Sequence, residues 1–116
     1  MNNSLKRFEI WFAELPSITD SHVQQGVRPV LVVSNNKANT YSSVVTVVPF
    51  TTKDKPKLPT HVPLLGHGLP RSSTALCEQI LSVDKARLTH RVGYVASPPV
   101  QSAIHRALAV QLSLVA

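Results

Sequence analysis

Cysteine is nearly absent from this chain. The single one, Cys77, excludes an internal disulfide and a cysteine-rich zinc site, and it fits a reducing compartment. Aromatic residues are scarce at 5%, so a core has to be built from Val, Leu, Ile and Ala. Acidic residues are few: six Asp and Glu stand against twelve Lys and Arg, a net charge of +6 and a pI near 10.0. A surface so biased attracts polyanions, nucleic acid first, with an acidic protein partner as the other reading and plain solubility as the least demanding one. No apolar run approaches the roughly 18 residues of a membrane span, so no membrane partner is expected. The stretch Met1 to Arg7 lacks the apolar segment that follows the basic region of a secretory signal, which points to the cytoplasm. Repeats, low-complexity segments and linkers are also missing, so one domain over residues 1–116 is expected.

What the chain does have is 43% apolar residues, enough to fold without staples at this length. Glu9 to Leu15 reads as a strand stopped by Pro16, and the polar stretch Ser17 to Gly26 as a loop long enough to carry function. Arg28 to Ser34 and Ser42 to Phe50 are β-branched runs without alternation, the mark of strands buried on both faces. Asn35 to Asn39 breaks between them as a helical turn, and Pro49 is expected at the end or edge of its strand. Thr51 to Pro59 is a basic loop holding Lys53, Lys55 and Lys57. Thr60 to Leu65, Thr74 to Val83 and Arg91 to Ala96 are further strands, with a turn at Gly66 to Pro70 and a short helical turn at Asp84 to Leu88. Ser97 caps a terminal helix with Pro98 in its first turn. Val100, Ile104, Leu108, Leu112 and Val115 share one face of that helix. Five or six short strands and one terminal helix predict a mainly β fold, a small and strongly bent antiparallel barrel.

Five phrases then combine: Ile10-Trp11-Phe12-Ala13-Glu14-Leu15-Pro16, Gln24 to Asn35 with its Gly26-Val27-Arg28-Pro29-Val30 segment, Thr46 to Lys53, Leu58-Pro59-Thr60-His61-Val62, and Leu76-Cys77-Glu78-Gln79-Ile80 followed by Val83 to Leu88. In order and spacing the chain resembles the MazF/PemK toxins over nearly its whole length. No single phrase is specific; together they are. The resemblance implies an SH3-like barrel with a C-terminal helix, a homodimer, and sequence-specific cleavage of single-stranded RNA with neither metal nor other cofactor. It also implies a cognate antitoxin whose acidic, disordered tail lies across the RNA groove. Two alternatives stay open: a gyrase-binding toxin of the CcdB kind without catalysis, and an RNA-binding module that has lost activity.

Metal-free cleavage requires a base for the 2′-OH, charge stabilisation at the phosphorane, and a proton for the leaving 5′-oxygen. The five histidines, at 22, 61, 67, 90 and 105, do not form a helical ligand pair with a nearby Glu. Arg28 matches the family's catalytic Arg, and its planar, permanently charged guanidinium suits two phosphate oxygens. Thr51 matches the catalytic Thr, whose hydroxyl can donate to phosphate or orient the 2′-OH. Many relatives carry Ser-Glu-Gln before the Arg, whereas this chain has His22-Val23-Gln24. Val23 removes the carboxylate base, and His22 is the expected substitute because imidazole titrates near neutrality; a solvent-exposed loop histidine is the plainer reading. Gln24, Lys53, Lys55, Lys57, Ser73 and Gln79 are expected to meet RNA, Gln79 by reading a base edge. Glu78 is expected to hydrogen-bond within the core, His61 to be structural, and Trp11 to lie in the core or an interface. Phe8-Glu9, where relatives have Gly then an acid, is expected to shift the first strand.

Overall fold

The computed structural model describes residues 5–54 and 56–114. Its elements follow in the order β1 (Glu9–Leu15), β2 (Gly26–Val32), α1 (Asn36–Tyr41), β3 (Val44–Thr51), β4 (His61–Leu64), β5 (Ser73–Leu76), β6 (Leu81–Asp84), a single 3₁₀ turn (Lys85–Arg87), β7 (Leu88–Tyr94) and α2 (Pro98–Gln111). Every pairing is antiparallel, in the spatial order β4-β5-β3-β2-β1-β7, with β6 beside the first half of β3.

The unbroken apolar runs of β2 and β3 are explained by two cores on opposite faces of one sheet. Val30, Val32, Val45 and Val47 point to one side and join Ala13, Leu15 and Val83. Leu31, Val48 and Phe50 point to the other and join Ile10, Ala75 and, from α2, Ile104 and Ala107. The helix closes the second face and lies against β4. Curling of the sheet closes the first, with Trp11, Leu81 and Leu88 packed over it. The expected barrel is therefore a curled but open sheet: among the described residues β4 pairs only with β5 and β7 only with β1, and a helix rather than a strand lies along β4.

Three expectations need correction. Pro49 lies inside β3, opposite Val30, and is buried. It is tolerated because β3 pairs with β6 as far as Val47 and with β5 from Phe50, so the missing N–H falls in the gap between them. The run Thr74 to Val83 is not one strand. Three steps along β3, from Val47 to Phe50, face six along its neighbour, from Ala75 to Leu81. The extra residues form a bulge that takes Glu78 and Gln79 out of the ladder. Finally, the apolar stripe of α2 is shorter than its periodicity suggests. Val100, Ile104 and Leu108 pack inward, but Leu112 is 55% exposed because the helix ends at Gln111. Val115 lies outside the described residues. The cap at Ser97 is as expected, its side chain accepting from the Val100 N–H.

Phe8 adopts φ 74°, the left-handed region that favours glycine. Two backbone bonds hold it there: its N–H donates to the Val32 carbonyl at 2.8 Å, and its carbonyl accepts from Val95 at 2.9 Å. Phe8 thus carries backbone strain, and β1 still begins at Glu9.

The loop between β4 and β5 crosses β7 in direct backbone contact. A Cβ on Gly93 would fall 1.8 Å from the His67 carbonyl oxygen. That contact seats the loop which delivers Pro70 and Arg71 to the cavity described below. Gly93→Ala is expected to destabilise the protein by about 2–3 kcal/mol, since neither backbone can yield without moving a strand. Urea denaturation measures it.

Candidate active site

Pro29 decides where the Arg28 guanidinium goes. Continuing the β2–β3 register one place beyond Val30↔Pro49 sets Pro29 opposite Phe50, and Pro29 has no N–H to give to the Phe50 carbonyl. Arg28 Nη1 donates to that carbonyl instead, at 3.4 Å. Its Nε donates to the Gln25 carbonyl at 2.9 Å, and Nη1 also donates to the Gln24 side-chain oxygen. Three of five guanidinium protons are thus engaged, leaving the two on Nη2 for a ligand. Partial burial pulls the Arg28 pKa below its ordinary value, yet an arginine stays charged at any working pH.

One further place along the same register lies Thr51, opposite Arg28. Thr51 is buried, and its Oγ1 accepts from the Lys53 N–H at 3.2 Å. The hydroxyl proton remains available to donate. Arg28 and Thr51 both line a cavity of about 220 Å³ with Phe12, Phe50, Arg71 and Ser73. Thr51, Thr52 and Ser73 also line a second cavity, of about 380 Å³, whose charged lining is Lys53, Lys57 and one acid, Asp54, with His61 beside them. The two cavities share Thr51, Thr52 and Ser73, and together hold four cationic side chains against one acid. Nothing about the ordinary strand-end threonine required that junction.

The remaining expected residues divide. Gln24 is an anchor: its side chain holds Arg28, and its own N–H donates to Gln79 Oε1 at 2.8 Å. Gln79, from the bulge, therefore ties the 17–25 loop to the sheet. Ser73 is buried and its hydroxyl donates to the Arg71 carbonyl at 2.9 Å, which fixes the loop bearing Arg71. Lys53 and Lys57 are exposed at the second cavity, and Lys55 lies outside the described residues. His22 is exposed and lines neither cavity. Trp11 is half-buried, its indole N–H donating to Glu9 Oε1 at 3.0 Å. Among the described residues no three His, Cys, Asp or Glu side chains gather as a metal site.

Sequence reasoning missed Arg71 and Phe12. Arg71 could have been found, since it is an arginine beside a proline, as Arg28 is, and stands two residues before a strand. Phe12 could not, because an aromatic in an apolar strand reads as core. Its ring stacks on His90, with centroids 4.8 Å apart.

Comparison with known proteins bears directly on this arrangement. Residues 6–112 match the family described as PemK-like, MazF-like toxin of type II toxin–antitoxin system. The chain belongs to that family. It is 37% identical over 114 residues to endoribonuclease EndoA of Bacillus subtilis (strain 168), covering 96% of this chain and 97% of that one. A mycobacterial endoribonuclease solved in complex with its cognate antitoxin has the same fold, with a TM-score of 0.80 and 28% identity over 97% of this chain and 98% of that one. MazF of Deinococcus radiodurans shares the fold at a TM-score of 0.78 and 24% identity, covering 95% and 97% of the two chains.

In this PemK-like, MazF-like chain the bulge also holds a half-buried acid. Glu78 accepts from the Thr60 hydroxyl at 3.0 Å and from His61 Nε2 at 2.9 Å, so it hydrogen-bonds internally as expected. Burial pushes its pKa up, but hydrogen bonds from His61, its own backbone and Thr60 outweigh this and hold the carboxyl below its ordinary value. Next to it, burial first and the Glu78 charge second push the Cys77 thiol up to about 12. The sign for Glu78 follows from linkage. Its stabilising contribution is complete above the ordinary glutamate pKa and is lost as pH falls through the lower folded value. Glu78→Gln should therefore be less stable than wild type near neutrality, and the two should converge between about pH 6 and pH 3, as read from urea midpoints.

Proposed function

We infer that the chain is the endoribonuclease toxin of a toxin–antitoxin pair, cutting single-stranded RNA at defined sequences through Arg28 and Thr51 and without a metal. The observation that carries this reading is Arg28 and Thr51 lining one cavity, with Thr51 shared by a neighbouring cavity that holds Lys53 and Lys57, and with two guanidinium protons unused among the described residues. The Nη2 group of Arg28 donates to an oxygen of the scissile phosphate, and the guanidinium charge stabilises the charge added when the 2′-oxygen attacks phosphorus. Thr51 donates its hydroxyl proton to the same group. That attack forms a cyclic 2′,3′-phosphate and breaks the bond from phosphorus to the 5′-oxygen, which leaves as a hydroxyl with a proton drawn from solvent.

His22 is offered as the base for the 2′-OH only because Val23 removes the family's carboxylate; it is exposed on the 17–25 loop and lines neither cavity, and the plainer reading is a solvated loop histidine. Lys53, Lys55, Lys57 and Arg71 carry the flanking phosphates, and the same cationic surface suits an acidic antitoxin tail. The relative solved with its cognate antitoxin supports that partner. A homodimer in the cytoplasm completes the reading. Among the described residues no helix is long and apolar enough to cross a membrane.

Cleavage of a long single-stranded RNA in EDTA tests the whole. Wild type is expected to make discrete cuts, and Arg28→Ala to be slower by roughly 10²-fold or more. Intact RNA with folded, antitoxin-free wild type would turn the reading toward a toxin that acts by contact. His22→Ala should be slower than wild type; a variant as fast as wild type from about pH 5 to pH 9 removes His22 from the mechanism.

A further inference from the structure

The positive charge of this chain is not concentrated at the Arg28 cavities. There Arg28, Lys53, Lys57 and Arg71 stand among acids: Asp54 in the cavity lining, Glu78 in the bulge, Glu14 opposite Val27 and Asp20 in the 17–25 loop. At the other end of β2 five cations, Lys6, Arg7, Lys37, Arg91 and Arg106, gather around one acid, Glu9. The Arg7 N–H donates to Asn36 Oδ1 at 2.7 Å, which sets Lys6 and Arg7 beside Lys37 at the start of α1. Arg7 also shares a cavity of about 570 Å³ with Ser102, His105 and Arg106 of α2. Arg91 joins through Glu9, whose other oxygen accepts the Lys6 N–H at 3.1 Å.

This group stands apart from the Arg28 site. Phe8, the next residue after Arg7, bonds to the Val32 carbonyl, four residues along β2 from Arg28. That is roughly 13 Å at the rise of a strand, beyond the Debye length of about 8 Å at physiological salt. Glu9 does not neutralise the group. It is 7% exposed, and its oxygens are taken by the Lys6 N–H, the Trp11 indole and Arg91. Lys6, Arg7, Lys37 and Arg106 have no acidic partner among the described residues. The Arg7 guanidinium is seated over the Phe8 ring, 4.8 Å from its centroid, and its buried Nε has no acceptor. Lys6, Lys37 and Arg106 are exposed around it. Like charges held together repel one another, a cost for which the packing of the fold supplies no return.

We propose that this end of the molecule is a second nucleic-acid site, which grips the phosphate backbone away from the cutting site. Its charges come from separate segments of chain, 6–7, 37, 91 and 106, on an open surface. A polymer with a phosphate on every residue meets such a spread, whereas a single carboxylate meets one member of it. Leu112 and Leu114 line the Arg7 cavity and are 55% and 72% exposed, so they offer apolar contact to a ribose or a base face. The proposal does not rest on the cleavage reading, because holding a backbone here uses neither Arg28 nor Thr51.

The test compares wild type with the double variant Lys37→Gln/Arg106→Gln, two exposed side chains with no hydrogen bond of their own among the described residues. The probes are single strands with 2′-fluoro groups throughout, which lack the attacking hydroxyl, and a DNA duplex. A strand of about 30 nucleotides reaches both ends of the molecule, and one of about five fills only the cavities at Arg28. The slope of log affinity against log salt is expected to fall by about 1.4 for the long strand, two contacts at roughly 0.7 each, or by about 1.8 for the duplex. The short strand should bind both proteins alike. A fall with the long strand alone identifies the ligand as single-stranded, and a fall with the duplex alone identifies a duplex. Unchanged slopes with both overturn the proposal. So does an equal fall with the short strand, since charge removed anywhere would then weaken binding. Polyglutamate of matched charge, bound by wild type as tightly as the long strand and lost equally by the variant, would make this an acidic-protein face and overturn it too. A short strand that fails to bind wild type counts against the Arg28 reading and leaves the long probes to decide this one.

Discussion

The pairing of β2 with β3 is the constraint on which the molecule depends. Both strands bury both faces, so their register cannot slip without moving valines from one core to the other. Arg28 and Thr51 lie where that pairing runs out, one on each strand. Their alignment is inherited from the core and costs the site no packing of its own. Pro29 then ends the ladder one bond early, and the carbonyl it leaves unmatched draws the guanidinium across the strand gap.

Around this pair, three connections converge from distant parts of the chain. The 17–25 loop is tied down by Gln79, the 66–72 loop by backbone contact with β7 and by Ser73, and the β3–β4 connection begins with the Thr51–Lys53 turn. None of these ties is a salt bridge. The acceptors on Arg28 are neutral amide oxygens, so its charge is oriented without being cancelled. The strongly paired acid, Glu78, is kept one bulge away, where His61 and Thr60 satisfy it.

How much of this was legible in the sequence differs by the kind of signal. Strand β1 was readable to the residue, because an apolar run ends at a proline. Helix α2 was readable at its start from Ser97 and Pro98, but less so at its end, where the apolar period continues past the last turn that packs. The bulge at Cys77 to Ile80 was invisible, since a strand that changes partners looks like one run when both halves are buried. Pro49 misled for the same reason: its tolerance comes from which neighbour is missing, a fact of topology and not of local propensity. At the site, Arg28 and Thr51 were legible through the family resemblance, and the register sets them opposite one another. The anchoring bond between Gln24 and Gln79 spans 55 residues and no pattern along the chain encodes it.

The position of Cys77 has a practical side. The chain's only thiol is fully buried at the end of β5, and its pKa is pushed up to about 12. The reactive species is the thiolate, so an alkylating reagent finds almost none in the folded protein. Modification therefore waits until the sheet opens around it. In a chain with one cysteine, the labelling rate becomes a clock for that opening, read without any engineered probe.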